Sequence, residues 1–304
     1  MKKVLIRADS SSSIGHGHIM RCLVLAKQYL NKGYDVSFAT LNLKGNLNEK
    51  ILKNSYDVHI LKSNDNEELI KKIKELKIDL LIIDSYDIKY KSQKSIKLKT
   101  DVEILCLDDT YEKHYCDILL NHNIGANKKK YKSLVPSFCE IRCGVKYTLL
   151  RDEFYKYKNM NLKQKNKTKV FLAIGGTDHS NINIKILKVL SKFKNIEVNL
   201  VTTSANSNLD ILKQYCKEKD FINLYIDTNN IAKLMKESSF AIVSASVILN
   251  EVYFMQLLFI AIKTASNQKN IYKYLKKKKY LVMKKFNKKR LKKLIKKINK
   301  RLEK

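Results

Sequence analysis

The 304 residues, 44% of them apolar and 30% charged, suffice for two domains that each bury a core. No run of about 18 consecutive apolar residues is present to span a membrane. A formal net charge of +32 invites a nucleic-acid reader, yet arginine is limited to Arg7, Arg21, Arg142, Arg151, Arg290 and Arg301, and base readers exploit its bidentate fork. Nucleic acid is therefore set aside as the main partner, and the charge is read as a field that attracts an anionic small molecule. The N-terminus loses its apolar character within a few residues, unlike a signal peptide, so a cytoplasmic protein is expected. Cys22, Cys106, Cys116, Cys139, Cys143 and Cys216 include no CxxC pair. They are read as reduced thiols, with no metal site.

The elements expected in chain order alternate. An apolar run at 4–8 reads as a strand, and the apolar stripe over 19–30 as a helix. A strand at 36–40, a helix at 67–76 and a buried strand at 80–84 follow, then a helix at 92–98 and strands at 102–108 and 118–121. The lysine- and asparagine-rich stretch 156–169 reads as a linker between a first domain, 1–155, and a second, 170–283. In the second domain strands are expected at 170–174, 197–201, 224–226, 240–243 and 258–262. Helices are expected at 182–190, 209–216, 231–236 and 247–254, with another beginning at 271. Residues 284–304 form an amphipathic terminal helix whose leucine stripe packs on a domain. Short apolar strands between helices imply parallel sheets covered on both faces. The fold class is thus α/β, two Rossmann-like doubly wound domains with an inter-domain cleft, ligands lying at the carboxyl ends of the strands.

The stretch Ser10-Ser11-Ser12-Ser13-Ile14-Gly15-His16-Gly17-His18 sits at the end of the first strand. Gly15 and Gly17 permit positive φ and close backbone approach, and the serines offer hydroxyls and a helix cap. His18, near a helix N-terminus where the dipole disfavours the imidazolium, is a candidate general base, with Asp9 in the same loop to orient it. Equally, His16 and His18 are loop residues that hold the turn by hydrogen bonds. Gly175 and Gly176, followed by Thr177 and Asp178, repeat the strand-glycine-helix pattern and suit a phosphate, or else make a tight turn. Neither glycine loop is a dinucleotide fingerprint or a Walker motif, so no cofactor is expected. Ser246 lies at a third strand-to-helix junction, and Glu251, about one and a half turns on, is placed to accept hydrogen bonds from two ribose hydroxyls.

Taken together, the glycine-histidine loop, the central Gly175-Gly176-Thr177-Asp178 and the late Ser244-Ala245-Ser246…Asn250-Glu251 followed by Asn267-Gln268 resemble the GT-B, MurG-like nucleotide-sugar group. More specifically, Arg7 to Arg21, Leu81-Ile82-Ile83-Asp84-Ser85-Tyr86, Leu107-Asp108-Asp109, Cys116 to Asn121, Arg142-Cys143-Gly144 and Leu150 to Phe154 resemble the UDP-2,4-diacetamido-2,4,6-trideoxy-β-L-altropyranose hydrolase family of pseudaminic acid biosynthesis. The resemblance covers residues 1 to about 280. It implies removal of UDP from C1 of a UDP-sugar by water, with C–O cleavage and inversion and without a metal. It puts the catalytic histidine on His18, a supporting tyrosine on Tyr86 and a substrate-contacting asparagine on Asn267. It turns Gly176, Thr177 and the Ser246 region to the diphosphate and Glu251 to the ribose. The chain departs from the pattern at His16, in lacking a glycine between Ser246 and Glu251, and in its lysine-rich tail. The alternative is a glycosyltransferase of the same fold, in which an acceptor hydroxyl replaces water; the non-enzymatic alternative is a basic protein that binds an acidic polymer.

Overall fold

A computed structural model of the chain describes residues 1–160, 167–178 and 181–303. They form two compact units, Met1–Leu149 and Leu150–Lys304. In the first, β1 (Lys3–Ala8), α1 (Gly17–Leu30), β2 (Asp35–Leu41), α2 (Asn48–Lys53), β3 (Asp57–Leu61), α3 (Asn66–Leu76), β4 (Leu80–Asp84), α4 (Tyr90–Thr100), β5 (Glu103–Leu107), β6 (Ile118–Asn121) and β7 (Glu140–Cys143) follow in order. Its seven strands lie in the order β3-β2-β1-β4-β5-β6-β7 and every pair is parallel. Side chains alternate across β1: Val4, Ile6 and Ala8 pack with Ile19, Cys22, Leu25 and Ala26 of α1. Leu5 joins Ile70 and Ile73 of α3 and Ile96 of α4 on the other face. Burial on both faces is why the central strands read as unbroken apolar runs, each Leu or Ile contributing about 1.5–3 kcal/mol.

The second unit opens with α5 (Asp152–Lys158) and continues through β8 (Thr168–Ala173), α6 (Asn183–Leu190), β9 (Ile196–Thr202), α7 (Leu209–Lys217), β10 (Ile222–Ile226), α8 (Ile231–Lys236), β11 (Phe240–Ser244), α9 (Val247–Phe254), β12 (Leu258–Ile262), α10 (Lys269–Lys277), β13 (Leu281–Met283) and α11 (Lys288–Leu302). Its six parallel strands run β10-β9-β8-β11-β12-β13. The sequence therefore folds as two doubly wound α/β units. In each, the strand order reverses beside the unit's first strand, between β1 and β4 and between β8 and β11. That reversal opens a crevice at the carboxyl edge, where doubly wound sheets bind ligands.

The structure differs from expectation in a domain boundary and in added elements. Residue 155 falls inside α5, which packs on α8 and α9 with Phe154 fully buried, so this segment joins the second unit. Residues 161–166 of the expected linker lie outside the described residues. The strands β3, β7 and β13 and the helix α2 have no counterpart in the sequence reading. The tail helix forms as α11 and buries Leu291, Ile295 and Ile298 in the core of the second unit. Among the described residues no helix is long and apolar enough to cross a membrane.

Candidate active site

At the crevice of the first unit, α1 begins at Gly17 and puts His18 and Arg21, one turn apart, on its buried face. Across from them, Asp84 ends β4, in register with Ala8 of β1. The Asp84 carboxylate accepts His18 Nδ1–H at 2.6 Å, Arg21 Nε–H at 2.6 Å and Arg21 Nη2–H at 2.5 Å, and the Cys22 thiol at 3.5 Å. All four approaches come to a group only 2% exposed. Burial pushes this carboxyl up, but the charges of Arg21 and His18, with their hydrogen bonds, more than offset it and hold it well below the usual carboxylate range. The Arg21 guanidinium is in turn held charged by Asp84 and Asp109 against its own burial. Because an ionised carboxylate only accepts, the His18 proton sits on Nδ1 and the Nε2 lone pair is left for a second partner.

Two further contacts complete the cluster. The Tyr86 ring stands edge-on to the His18 imidazole, centroids 5.1 Å apart, and its hydroxyl donates to Asp109 Oδ1 at 2.8 Å. Asp109 Oδ2 accepts Arg21 Nη1–H at 3.4 Å. His122, just beyond β6, is fully buried and held down to about 3, first by desolvation and then by the charge on Arg21.

The two histidines of the loop are thus separated by the structure. His16 reaches away, its Nε2 at 3.2 Å from the Gly45 carbonyl, and holds the turn; His18 has the carboxylate partner. Asp9 is not that partner. It pairs with buried Arg7 at 2.7 Å and accepts the Leu41 amide at 2.7 Å, because the strand points its side chain toward β2. Gly15, at φ 87°, closes the serine turn by donating its amide to Ser11 O at 2.8 Å. Gly17 instead opens α1 without a positive φ. The serines do not cap α1: Ser10 Oγ takes the Leu47 amide and Ser11 Oγ those of Ser13 and Ile14. Sequence reasoning quoted Arg21, Asp84 and Asp109 without giving them roles. The available signal was a carboxylate closing a fully apolar strand and an arginine three residues after a histidine.

In the second unit, Gly175–Thr177, Ser246 and Asn267 lie beyond the carboxyl ends of β8, β11 and β12, which are adjacent strands. Gly175 needs glycine for its conformation, φ 86°, whereas Gly176 needs it for space, since a Cβ would lie 2.7 Å from Thr203 Cγ2. The Gly176 carbonyl accepts the hydroxyls of Thr202 and Thr203 at 3.1 and 3.0 Å, which turns the Thr177 N–H of the same peptide plane the opposite way. The Asp178 carboxylate accepts the Ile182 and Asn183 amides at the start of α6, at 3.1 and 3.3 Å, and so puts a negative charge at that end.

The start of α9 is different. Ser246 makes no side-chain cap and the first turn holds no acid; its hydroxyl meets Ser244 Oγ at 2.7 Å. Glu251, on the same helix, is nearly buried and faces Arg151 Nη2 at 3.4 Å, while Arg151 Nη1 binds Glu153 at 2.7 Å. Desolvation, opposed by Arg151 and reinforced by Glu153, pushes the Glu251 carboxyl up to about 7. Asn267 precedes Gln268, whose side-chain oxygen accepts the Thr264 amide at 2.8 Å and ties down the loop before α10. Among the described residues no group of three or more His, Cys, Asp or Glu side chains is placed to hold a metal ion.

No protein-family model matches the chain. Among solved structures, MurG of Acinetobacter baumannii aligns over 99% of this chain and 92% of its own, with a TM-score of 0.65 and 13% identity. A UDP co-structure of Staphylococcus aureus MnaA covers 99% and 89%, with a TM-score of 0.60 and 12% identity. These likenesses carry the GT-B, MurG-like fold. An uncharacterized protein of Methanocaldococcus jannaschii is 32% identical over 173 residues, 54% of this chain and 36% of that protein. The UDP-2,4-diacetamido-2,4,6-trideoxy-β-L-altropyranose hydrolase of Campylobacter jejuni is 46% identical over 280 residues, 92% of this chain and 98% of the relative. With identity of that extent and a histidine-aspartate pair at the crevice of the first sheet, the chain belongs to the UDP-2,4-diacetamido-2,4,6-trideoxy-β-L-altropyranose hydrolase family.

Proposed function

We propose that this protein hydrolyses UDP-2,4-diacetamido-2,4,6-trideoxy-β-L-altropyranose to UDP and the free sugar, by attack of water at C1 with inversion, as a step of pseudaminic acid biosynthesis. The observation that carries the chemistry is the 2.6 Å contact from His18 Nδ1 to Asp84 in a chain 46% identical to such a hydrolase. With Nδ1–H committed to the carboxylate, Nε2 takes a proton from water as the new bond from oxygen to C1 forms. The bond from C1 to the diphosphate oxygen breaks, and UDP leaves with the electron pair. Asp84 steadies the imidazolium that results, and Arg21 keeps Asp84 ionised. The proton then passes to solvent.

A nucleoside diphosphate is a good leaving group once its charge is stabilised, so the second unit needs donors more than acids. In our reading the amides of the Gly175–Thr177 loop, the uncapped start of α9 and the Ser246 hydroxyl supply them. The ionised Glu251 accepts the ribose hydroxyls and Asn267 contacts the substrate. No metal enters this mechanism. We place the protein in the cytoplasm, a reading supported by its six cysteines standing as thiols.

The test is proton and phosphorus NMR of the purified protein with the UDP-sugar, without acceptor and with chelator, beside His18→Asn. Release of UDP and free sugar by the wild type alone supports metal-free hydrolysis with His18 as base. Silence of both, relieved by an acceptor alcohol, turns the reading to the transferase. Equal activity of both keeps the reaction and discards His18.

A further inference from the structure

The side chains around His18 close a ring. Asp84 binds His18 and two nitrogens of Arg21; the remaining Arg21 nitrogen reaches Asp109; Asp109 takes the Tyr86 hydroxyl; and Tyr86 returns to His18, ring planes at 89°. The mechanism above uses His18, Asp84 and Arg21, and the resemblance supplies Tyr86. Asp109 is left over. Its side chain is only 13% exposed and its carboxylate is spent on Arg21 and Tyr86.

An imidazole held at Nδ1 alone can still swing about that one bond, and its free nitrogen swings with it. A second contact on the ring removes the motion. Tyr86 makes that contact from the loop after β4, where it is 39% exposed and is steadied by its hydroxyl bond rather than by a core. The oxygen that receives this bond comes from the neighbouring strand's loop, since β4 and β5 are paired. That loop is itself fixed. The adjacent Asp108 carboxylate accepts the Thr110 amide and hydroxyl at 3.0 and 2.8 Å, the Tyr111 amide at 2.8 Å and the hydroxyl of buried Tyr131.

We propose that Asp109 is a positioning residue for the hydrolysis: it pins the Tyr86 phenol against the His18 imidazole and holds the outer arm of Arg21, so that His18 Nε2 keeps one direction. This rests on His18 being the base. The carboxylate has an electrostatic consequence as well. With neutral His18, the charges of Asp84 and Arg21 cancel and Asp109 leaves the ring with one net negative charge, which favours the imidazolium formed during attack. The charged and titratable groups facing the imidazole are Asp84 from β4, Arg21 and the Cys22 thiol from α1, Tyr86 from the β4 loop and Asp109 from the β5 loop. His122 after β6 stays neutral over the working range, and burial and Asp84 push the Cys22 thiol up.

The experiment compares wild type, Asp109→Ala, Asp109→Asn, Tyr86→Phe and the Asp109→Ala/Tyr86→Phe double variant, by UDP release followed with phosphorus NMR and by calorimetric binding of UDP. Asp109→Ala is expected to lower kcat by about tenfold to a hundredfold with UDP affinity within about twofold of wild type. The double variant is expected within about threefold of the worse single variant, because both changes cut the same link. Asp109→Asn still accepts the phenol but lacks the charge. It is expected to recover part of kcat while moving the acid limb of the kcat–pH profile to lower pH. Wild-type kcat in Asp109→Ala, single effects that multiply in the double variant, or an unmoved acid limb in Asp109→Asn would overturn the assignment. A wild type that releases no UDP would overturn the base itself, and is seen in the control before any variant is read.

Discussion

Replacing Asp84 by asparagine tests the centre of the mechanism without changing its shape. The carboxylate is 2% exposed and receives donors from His18 and from Arg21, itself 4% exposed. Removing one partner of a buried ion pair costs about 3–5 kcal/mol, and asparagine's oxygen can still take one guanidinium N–H, so a loss of about 3 kcal/mol is expected. For a unit of this size that is about 6–12 °C in Tm. The catalytic loss should be larger. The new amide can donate to His18 Nδ1, which drives the imidazole proton to Nε2, the nitrogen that must accept from water; kcat is then expected to fall by about 10⁴ with the KM little changed. The pH dependence has a definite sign. The folded Asp84 carboxyl lies well below its unfolded range, so its contribution is present above about pH 4 and lost as the solution is acidified through the folded value. Asp84→Asn should therefore flatten the acid side of the stability curve. The assays are UDP release under saturating substrate, thermal unfolding from pH 3 to 8, and nitrogen NMR of the His18 tautomer. A folded Asp84→Asn protein with kcat within threefold of wild type would refute the assigned roles of both residues.

Glu251→Gln is expected to change both stability and nucleotide binding with pH. The folded carboxyl titrates at about 7, above its unfolded value, so the stability it adds is full below about pH 4 and is lost as pH rises through about 7. The variant should lack that decline, on the order of 2–3 kcal/mol, and calorimetry should show a rise in UDP affinity from pH 6 to 8 in the wild type that the variant lacks. Gly176→Ala places a methyl group 2.7 Å from Thr203 Cγ2 and 2.9 Å from its Oγ1. Unfolding should show a loss of about 1–3 kcal/mol and UDP titration a roughly tenfold weaker Kd. His16→Ala removes only the contact to the Gly45 carbonyl, so kcat within about threefold and a stability loss of about 1 kcal/mol are expected. A catalytic loss as deep as that of His18→Asn would return the choice of histidine to the sequence-level alternatives.

The sheets were legible because their central strands are covered on both faces and carry unbroken apolar runs: Leu80 to Asp84 and Phe240 to Ser244 are buried at every position. The strand β3 was not, since Asp57-Val58-His59-Ile60-Leu61 lies at a sheet edge with only Leu61 fully buried, and edge strands need no such run. The strand β13 is three residues long, too short to show a period. The segment assigned to the first domain's end joined the second because Phe154, the buried residue of α5, anchors that helix. At the site, His18 and the glycine loops were visible as local pattern. The partner of His18 was not: Asp9 is near in sequence, but Asp84 is near in space, 66 residues away. Strand alternation sends the Asp9 side chain to Arg7 and β2, and only the parallel register of β1 with β4 brings Asp84 to the start of α1.

The two sheets share one winding order and differ in what their carboxyl edges carry, and that difference is the basis of the proposed chemistry. In both, the chain reverses its winding between the first and fourth strands of the unit, so each offers a crevice lined by the following loops. In the first unit Asp84 at the end of β4, Arg21 of α1 and Asp109 beyond β5 surround one imidazole. Such charges are stable when buried only because each carboxylate has a guanidinium donor, and the network they form can fix a proton and a ring. In the second unit the same positions hold Gly175, Gly176, Thr177, Ser244 and Ser246, which present amides and hydroxyls, and the Asp178 carboxylate sits on α6 rather than on α9. In the proposed reading the diphosphate therefore meets the start of α9 rather than the start of α6, where Asp178 puts its negative charge. The proposed division of labour between base and leaving-group contacts thus rests on loop composition on a repeated scaffold. Exchanging Ser246 for a carboxylate, or Asp84 for asparagine, should abolish one half of the proposed chemistry while leaving its sheet folded.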